Sequence, residues 1–525
     1  MILRSPYPDV SIPDQPLTAF VLEQAAERGD KPALVDGPSG RTLTYAGLAD
    51  SVRRMAGGLA RRGVSQGDVV ALFAPNMPEW AVAFHGIASL GAVVTTINSL
   101  ATSEEIERQL RDSGSRFLIT VPPFLDRAAE PARVAGLREV FVFGEANGAT
   151  PVASLLAEDA QPPPVSIAPS DLVALPYSSG TTGFPKGVML SHRNLVANLL
   201  QTGAGQDIRE DETLIAVLPF FHIYGMTVIL NLGLRRGATI VTMPKFELEP
   251  FLQVMAQRRV TRAFLVPPIV LALAKQPAVD GYDLSALRLI LSGAAPLDAS
   301  LANACAARLG CMVMQGYGLT ETSPVVVITS DRPGMARPGS IGTLAPNTEA
   351  RIVDVTTSEE LGTGEDGEIC FRGPQVMQGY LGNPEATAQT IDAAGWLHTG
   401  DIGHVDADGY FFIVDRLKEL IKFKGYQVPP AELEALLLRH PAVADAAVIP
   451  IPDEEAGEIP KAFVVLADAG FDADELMPYV AEHVAPYKRI RRVEVIDAIP
   501  KSASGKILRR VLVERERALA VAQRA

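Results

Sequence analysis

Residues 178–188 read Ser-Ser-Gly-Thr-Thr-Gly-Phe-Pro-Lys-Gly-Val. So little side chain leaves a run of backbone N–H groups and hydroxyls that can wrap a polyphosphate, with one cation, Lys186, to pair with it. The apolar run Leu172–Leu175 leads in like a buried strand. Ser191 follows as an N-cap opening an apolar-periodic helix through Leu200. The spacing Gly-x-x-x-x-Gly-Lys-Ser/Thr is absent, which excludes kinases and GTPases built on that loop.

An anion-binding loop sits awkwardly in a chain of net charge −14, so its ligand needs local positive charge. That charge lies near the C-terminus. Residues 486–510 hold eight Lys and Arg against Glu494 and Asp497, and they end in Ser502-Ala-Ser-Gly-Lys506. The overall acidity argues against a nucleic-acid partner. Three cysteines without a Cys-x-x-Cys pair suit a reducing compartment. No signal-peptide core, peroxisomal address or 18-residue apolar run occurs, so a cytoplasmic protein with no membrane span is expected.

From residue 68, short apolar runs (69–73, 93–96, 117–121) alternate with helical stretches (78–90, 103–113). This pattern predicts βαβ units in a parallel sheet. After the break Gln161-Pro-Pro-Pro164, a second series predicts strands at 172–177, 213–218, 238–242, 263–266, 288–292 and 312–315. Shorter strand-and-turn patterning fills 340–415. Beyond Asp415-Arg-Leu-Lys418 a compact α+β unit is expected, with helices near 430–439 and 473–484. The reading is an α/β protein. Residues 1–415 form a large domain of βαβ-built sheets with a small β-rich part, and 416–525 form a small α+β domain.

With these segments placed, the chain resembles the adenylate-forming superfamily, and within it the bacterial 4-coumarate–CoA ligases. The resemblance rests on the 178–188 loop and several further motifs in the expected order. These are Pro219-Phe-Phe-His-Ile-Tyr-Gly225, Leu291-Ser-Gly-Ala-Ala-Pro296, Gln315-Gly-Tyr-Gly-Leu-Thr-Glu321, Gly367-Glu-Ile-Cys-Phe-Arg-Gly373, Gly395-Trp-Leu-His-Thr-Gly-Asp401 and Pro500-Lys-Ser-Ala-Ser-Gly-Lys506. It implies a two-step ligase that uses ATP, Mg²⁺ and coenzyme A. A carboxylate attacks the α-phosphate of ATP, and the coenzyme A thiol then displaces AMP.

The resemblance also implies roles. Ser178, Ser179, Gly180, Thr181, Thr182, Gly183 and Lys186 would hold the phosphates. Ala294, Gln315, Gly316, Tyr317 and Gly318 would line the nucleotide. Thr320 would bond the α-phosphate, and Glu321 would hold Mg²⁺. Asp401 and Arg416 would take the ribose hydroxyls, while Lys422 and Gln427 would touch the nucleotide. Lys506 would bridge the α-phosphate and the acid, as the lysine of the first half-reaction. Lys418 matches the hinge, and Lys424 and Gly425 would line the coenzyme A channel. A protein acetyltransferase that neutralises Lys506 is an implied partner.

The acid would be steered by His222, which in an apolar motif is alternatively a core histidine. Its pocket would be walled by Tyr224, Val228, Leu291, Ala294, Gly318, Pro324 and Val325. Two departures matter. Plant members commonly have a lysine where Leu291 stands and a serine where Val228 stands. Both changes remove polar groups near the expected ring substituent, so cinnamate is expected to serve at least as well as 4-coumarate. A medium-chain fatty acid is the alternative substrate. Cys370 is read as a buried strand residue without catalytic work.

Overall fold

The computed structural model describes residues 1–157, 159–178, 185–332, 334–424, 426–453, 456–468, 470–502 and 505–522. The expectations for Ser179, Gly180, Thr181, Thr182, Gly183, Gly425 and the Gln427 side chain lie outside the described residues.

Two large sheets carry the N-terminal part. The first is parallel through Leu172–Ser178, Val93–Thr96, Val69–Phe73, Ser115–Thr120, Glu139–Val142 and Thr150–Pro151. Its central strands are buried along nearly their whole length because helices cover both faces. Helices begin where the sequence offers caps. Thr102 accepts from the Glu105 amide and Glu105 returns the bond, opening Ser103–Asp112. Ser191 caps His192–Gly205 in the same manner, with Asn194 in place of the acid.

The second sheet runs Met312–Gln315, Leu289–Ser292, Arg262–Leu265, Thr213–Ala216, Thr239–Thr242, Pro32–Asp36 and Thr42–Thr44. All its pairs are parallel except the last. One continuous core joins the two sheets. At the joint Trp80, on the helix Pro78–Ala88, packs 5.5 Å from Phe220, centroid to centroid.

An antiparallel sheet follows, Leu3–Arg4, Glu349–Val353, Gly367–Arg372, Leu397–Val405 and Phe411–Arg416, over its own apolar cluster. The smaller C-terminal domain is built on the long hairpin of Val443–Asp453 with Gly457–Leu466. Leu433 and Leu437 of the helix Pro430–Arg439 are wholly buried in its separate core. The expected mixed α/β class, with a large sheet-built part and a smaller C-terminal one, matches this architecture.

Two local differences bear on the site. Lys186 opens a strand, Lys186–Ser191, antiparallel to Leu172–Ser178, where a loop through residue 188 is expected. Tyr224–Asn231 is a π-helix, a wide turn that frequently marks functional positions. Among the described residues no helix is long and apolar enough to cross a membrane.

Candidate active site

In open α/β sheets ligands collect beyond the carboxyl ends of the strands. Here Leu172–Ser178 ends in Ser178, Leu289–Ser292 runs into Gly293-Ala294, and Met312–Gln315 runs into Gly316-Tyr317. Ala294 adopts φ +69°, a left-handed conformation that a non-glycine residue seldom holds.

The short 3₁₀ turn Thr320–Thr322 brings Glu321 to Ser178. Its carboxylate is 9% exposed, and Oε1 accepts from Ser178 Oγ (2.7 Å) and Tyr380 Oη (2.9 Å). The Lys186 ammonium sits 4.7 Å above the Tyr380 ring. Among the described residues Glu321 takes hydroxyl donors and no ion pair. A buried carboxylate ringed by hydroxyls is a donor set that fits a hard cation such as Mg²⁺. Tyr380 was not anticipated from sequence. An isolated tyrosine 59 positions from its partner carries no local signal.

Asp401 is almost fully buried on Leu397–Val405, directly across from Arg416 on Phe411–Arg416. Arg416 Nε reaches Asp401 Oδ1 at 2.9 Å, and Tyr317 donates its hydroxyl to Oδ2. Burial opposes the charge of Arg416, but Asp401 foremost among its neighbours outweighs this and raises its pKa. Burial and then Asp401 push the Tyr317 phenol far up, so it stays a donor.

Lys506 arrives from the C-terminal domain on the turn after Lys501, with Gly505 packed on Val266 and Pro268. Burial, then repulsion from Arg416, lowers its pKa to about 8. Two contacts hold this arrangement from outside. Arg439 Nη2 meets Asp298 Oδ2 at 2.6 Å, and Lys275 Nζ donates to the Leu438 carbonyl at 3.1 Å.

His222 precedes the π-helix and is lowered to about 4 by burial and then by Lys506, so it is neutral. Its Nδ1 accepts the Tyr224 amide at 3.3 Å, which leaves the ring proton on Nε2. Tyr224 donates its hydroxyl to the Leu291 carbonyl at 3.0 Å, with Val228 one turn further along. Gly318 lies so close to Pro324 that a Cβ there would stand 2.1 Å from the Pro324 carbonyl oxygen. It pairs in register with Val325. Gln315 is buried and accepts the Leu297 amide at 2.8 Å. Lys418, Lys422 and Lys424 are exposed.

The crevice therefore gathers Ser178, Lys186, Tyr317, Glu321, Asp401, Arg416 and Lys506, with His222 and Tyr224 adjoining Lys506. Residues 21–381 match the family model described as AMP-binding enzyme, and 432–506 match the AMP-binding enzyme C-terminal domain. The chain is 48% identical to 4-coumarate–CoA ligase 5 of Oryza sativa subsp. japonica, over 97% of this chain and 96% of the relative. It is 45% identical to 4-coumarate–CoA ligase 1 of Petroselinum crispum, over 98% and 96%. Among solved structures, an anthranilate–CoA ligase in complex with anthranoyl-AMP superposes with a TM-score of 0.89 at 30% identity, covering 98% of this chain and 99% of that one. A fatty acyl-CoA synthetase of Mycobacterium tuberculosis superposes at 0.75, also at 30% identity, over 96% and 99%. Matched nearly end to end by these relatives and by both family models, this chain belongs to the AMP-binding enzyme family.

Proposed function

We propose that the protein ligates a cinnamate-type carboxylic acid to coenzyme A through an acyl-adenylate, consuming ATP with Mg²⁺ and releasing AMP and pyrophosphate. The observation that supports this best is the meeting of Lys506 with Arg416, Asp401 and His222 in one crevice. A protein that only bound nucleotide would have no use for a half-buried lysine brought there by a second domain.

In the first step a carboxylate oxygen attacks the α-phosphorus, and the bond to the β-phosphate oxygen breaks. Two anions must meet, so fixed positive charge dominates the barrier. Lys506 bridges the α-phosphate and the carboxylate, where charge shifts most. Lys186 meets the departing phosphates, and Thr320 donates to the α-phosphate. Neutral His222 donates its Nε2 proton to the carboxylate and orients it. Asp401 accepts both ribose hydroxyls, with Arg416 beside it. Ala294, Gln315, Gly316, Tyr317 and Gly318 line the nucleotide, with Lys422 and Gln427 reaching it from the C-terminal domain. Glu321 would hold Mg²⁺, which supplies charge neutralisation to the phosphates when bound.

In the second step the coenzyme A thiolate attacks the acyl carbon and AMP departs. We assign this step to a rotated small domain, residues 416–525 against 1–415, turning at exposed Lys418 and bringing Lys424 and Gly425 to the pantetheine arm. We place the reaction in the cytoplasm, which suits three unbridged cysteines. Acetylation of Lys506 removes the bridging cation, so a protein acetyltransferase is the regulatory partner we assign. Intact-mass analysis of protein from cells of varied nutrition tests this, and an invariably unmodified Lys506 sinks it.

Acid-dependent ATP–pyrophosphate exchange tests the adenylation reading. The Lys506 cation is present below a pKa of about 8 and lost above it. For the free enzyme, kcat/KM for ATP in exchange should therefore fall along one ionisation as pH climbs past that value. In Lys506→Arg the residual rate should lack this limb. A profile unchanged by that substitution would assign the limb to another group.

Leu291 and Val228 are both buried beside Tyr224 and offer no hydrogen bond to a ring hydroxyl. An apolar wall barely distinguishes a hydroxylated acid from its parent. Cinnamate should thus match or exceed 4-coumarate in kcat/KM, and a clear preference for caffeate over cinnamate would contradict this pocket.

A further inference from the structure

On the antiparallel sheet, Cys370 and His398 are directly paired across strands, and Glu368 lies two residues back on the same face. Cys370 Sγ lies 3.4 Å from His398 Nδ1, which is 2.8 Å from Glu368 Oε2. The three donor atoms all fall within 4.8 Å of one another. None has work in the reaction derived above.

The cluster is not a nucleophilic triad. Cys370 and Glu368 both address the same ring nitrogen, so no proton can relay through the imidazole. The thiol is wholly buried, and burial followed by the charge of Glu368 pushes it up to about 12.

Thiol, imidazole and carboxylate are instead the donor types of a borderline-soft divalent cation. Zinc bonds of about 2.3 Å to sulfur and about 2.0–2.2 Å to nitrogen and oxygen set tetrahedral ligand–ligand spacings of roughly 3.3–3.6 Å. The sulfur–nitrogen spacing already matches, and the nitrogen–oxygen spacing must open by about half an ångström. We propose that Cys370, His398 and Glu368 form a binding site for a zinc-class divalent cation, with its fourth position open to solvent.

Further features fit this assignment. His398 is part-exposed, which offers an entry path. Its Nε2 faces Asp392 Oδ2 at 3.8 Å, placing a carboxylate behind the ligating ring. Arg351, whose charge and hydrogen bond bear on Cys370, competes with a cation for the sulfur and must turn to Asp392, which already holds it at 2.8 Å. A thiolate ligand discriminates against Mg²⁺, so this site is chemically distinct from that of Glu321.

Occupancy has a consequence for the crevice. Glu368 Oε1 accepts the Gly400 amide at 2.8 Å, and Gly400 immediately precedes Asp401. A cation drawing on Oε2 pulls that carboxylate and tilts the strand segment bearing Asp401, raising KM for ATP. This consequence rests on the ribose role proposed for Asp401, whereas the binding itself does not.

The test is titration of the full-length protein with Co²⁺ in excess Mg²⁺, followed by absorption. The expected result is one cobalt per chain with a thiolate-to-cobalt charge-transfer band, displaced by Zn²⁺. Cys370→Ser should abolish the band, and His398→Gln, at the exposed edge, should weaken binding about tenfold or more. No band, or a band that survives Cys370→Ser and so arises at Cys305 or Cys311, overturns the site. ATP–pyrophosphate exchange read alongside should show a cobalt-dependent rise in KM for ATP in wild type only. The band without that rise overturns the coupling to Asp401. Exchange absent even without cobalt would refute the adenylation reading and leave the band to be judged alone.

Discussion

Lys506→Ala lowers acid-dependent ATP–pyrophosphate exchange by on the order of 10²-fold or more, while conversion of preformed acyl-adenylate to thioester is largely spared. The asymmetry is the informative part. The lysine is delivered by a turn whose Gly505 packs on Val266 and Pro268, and it stands among Arg416, Asp401 and His222. That position serves charge moving between carboxylate and α-phosphate. It offers nothing to a thiol attacking an acyl carbon in the rotated arrangement proposed for the second step. Lys506→Gln keeps the length and some polarity but not the charge, and stands for the acetylated side chain. It should resemble Lys506→Ala in exchange. Separate assays of the two half-reactions check both variants, and equal loss in both halves would remove the division of labour.

The second large effect falls on Asp401. Asp401→Ala should raise KM for ATP by on the order of 10²–10⁴-fold, the loss of two hydrogen bonds to a charged acceptor at about 1.5–3 kcal/mol each. KM for the acid and for coenzyme A should change little. The substitution also strands Arg416, whose Nε bond to Asp401 is its principal charge contact here. Tyr317→Phe removes only an orienting donor to the same carboxylate and should cost much less. Initial-rate kinetics with each substrate varied in turn separate these cases. A uniform rise in all three KM values would indicate general misfolding of the crevice.

Much of this arrangement is legible in the amino-acid sequence. The strands Val69–Phe73, Val93–Thr96 and Leu289–Ser292 are buried on both faces and bounded by turn residues, so each announces itself locally. Ser191 was legible as a cap because its chemistry is complete within four residues. Other features lay beyond local reasoning. Pro32–Asp36 inserts beside Thr239–Thr242 in the second sheet, a pairing across some two hundred positions that no periodicity encodes. The π-helix at Tyr224–Asn231 is buried at every position, and its pitch depends on what packs around it.

The candidate site divides in the same way. Lys186, Glu321, Asp401, Arg416 and Lys506 stood out because each sits in a motif with its neighbours. Tyr380, which bonds Glu321 and underlies Lys186, has no such setting and emerges only from the fold. The Glu368–Cys370–His398 cluster lay across two separate motifs, and only the strand register brings it together.

Ligation of a cinnamate-type acid is tested most simply by product analysis with MgATP, coenzyme A and a panel of cinnamate, 4-coumarate, benzoate, octanoate and decanoate. The expected product is the cinnamoyl or 4-coumaroyl thioester, formed one-to-one with AMP and pyrophosphate. ADP and phosphate as products, or the aliphatic acids turned over in preference to the aromatic ones, would contradict it.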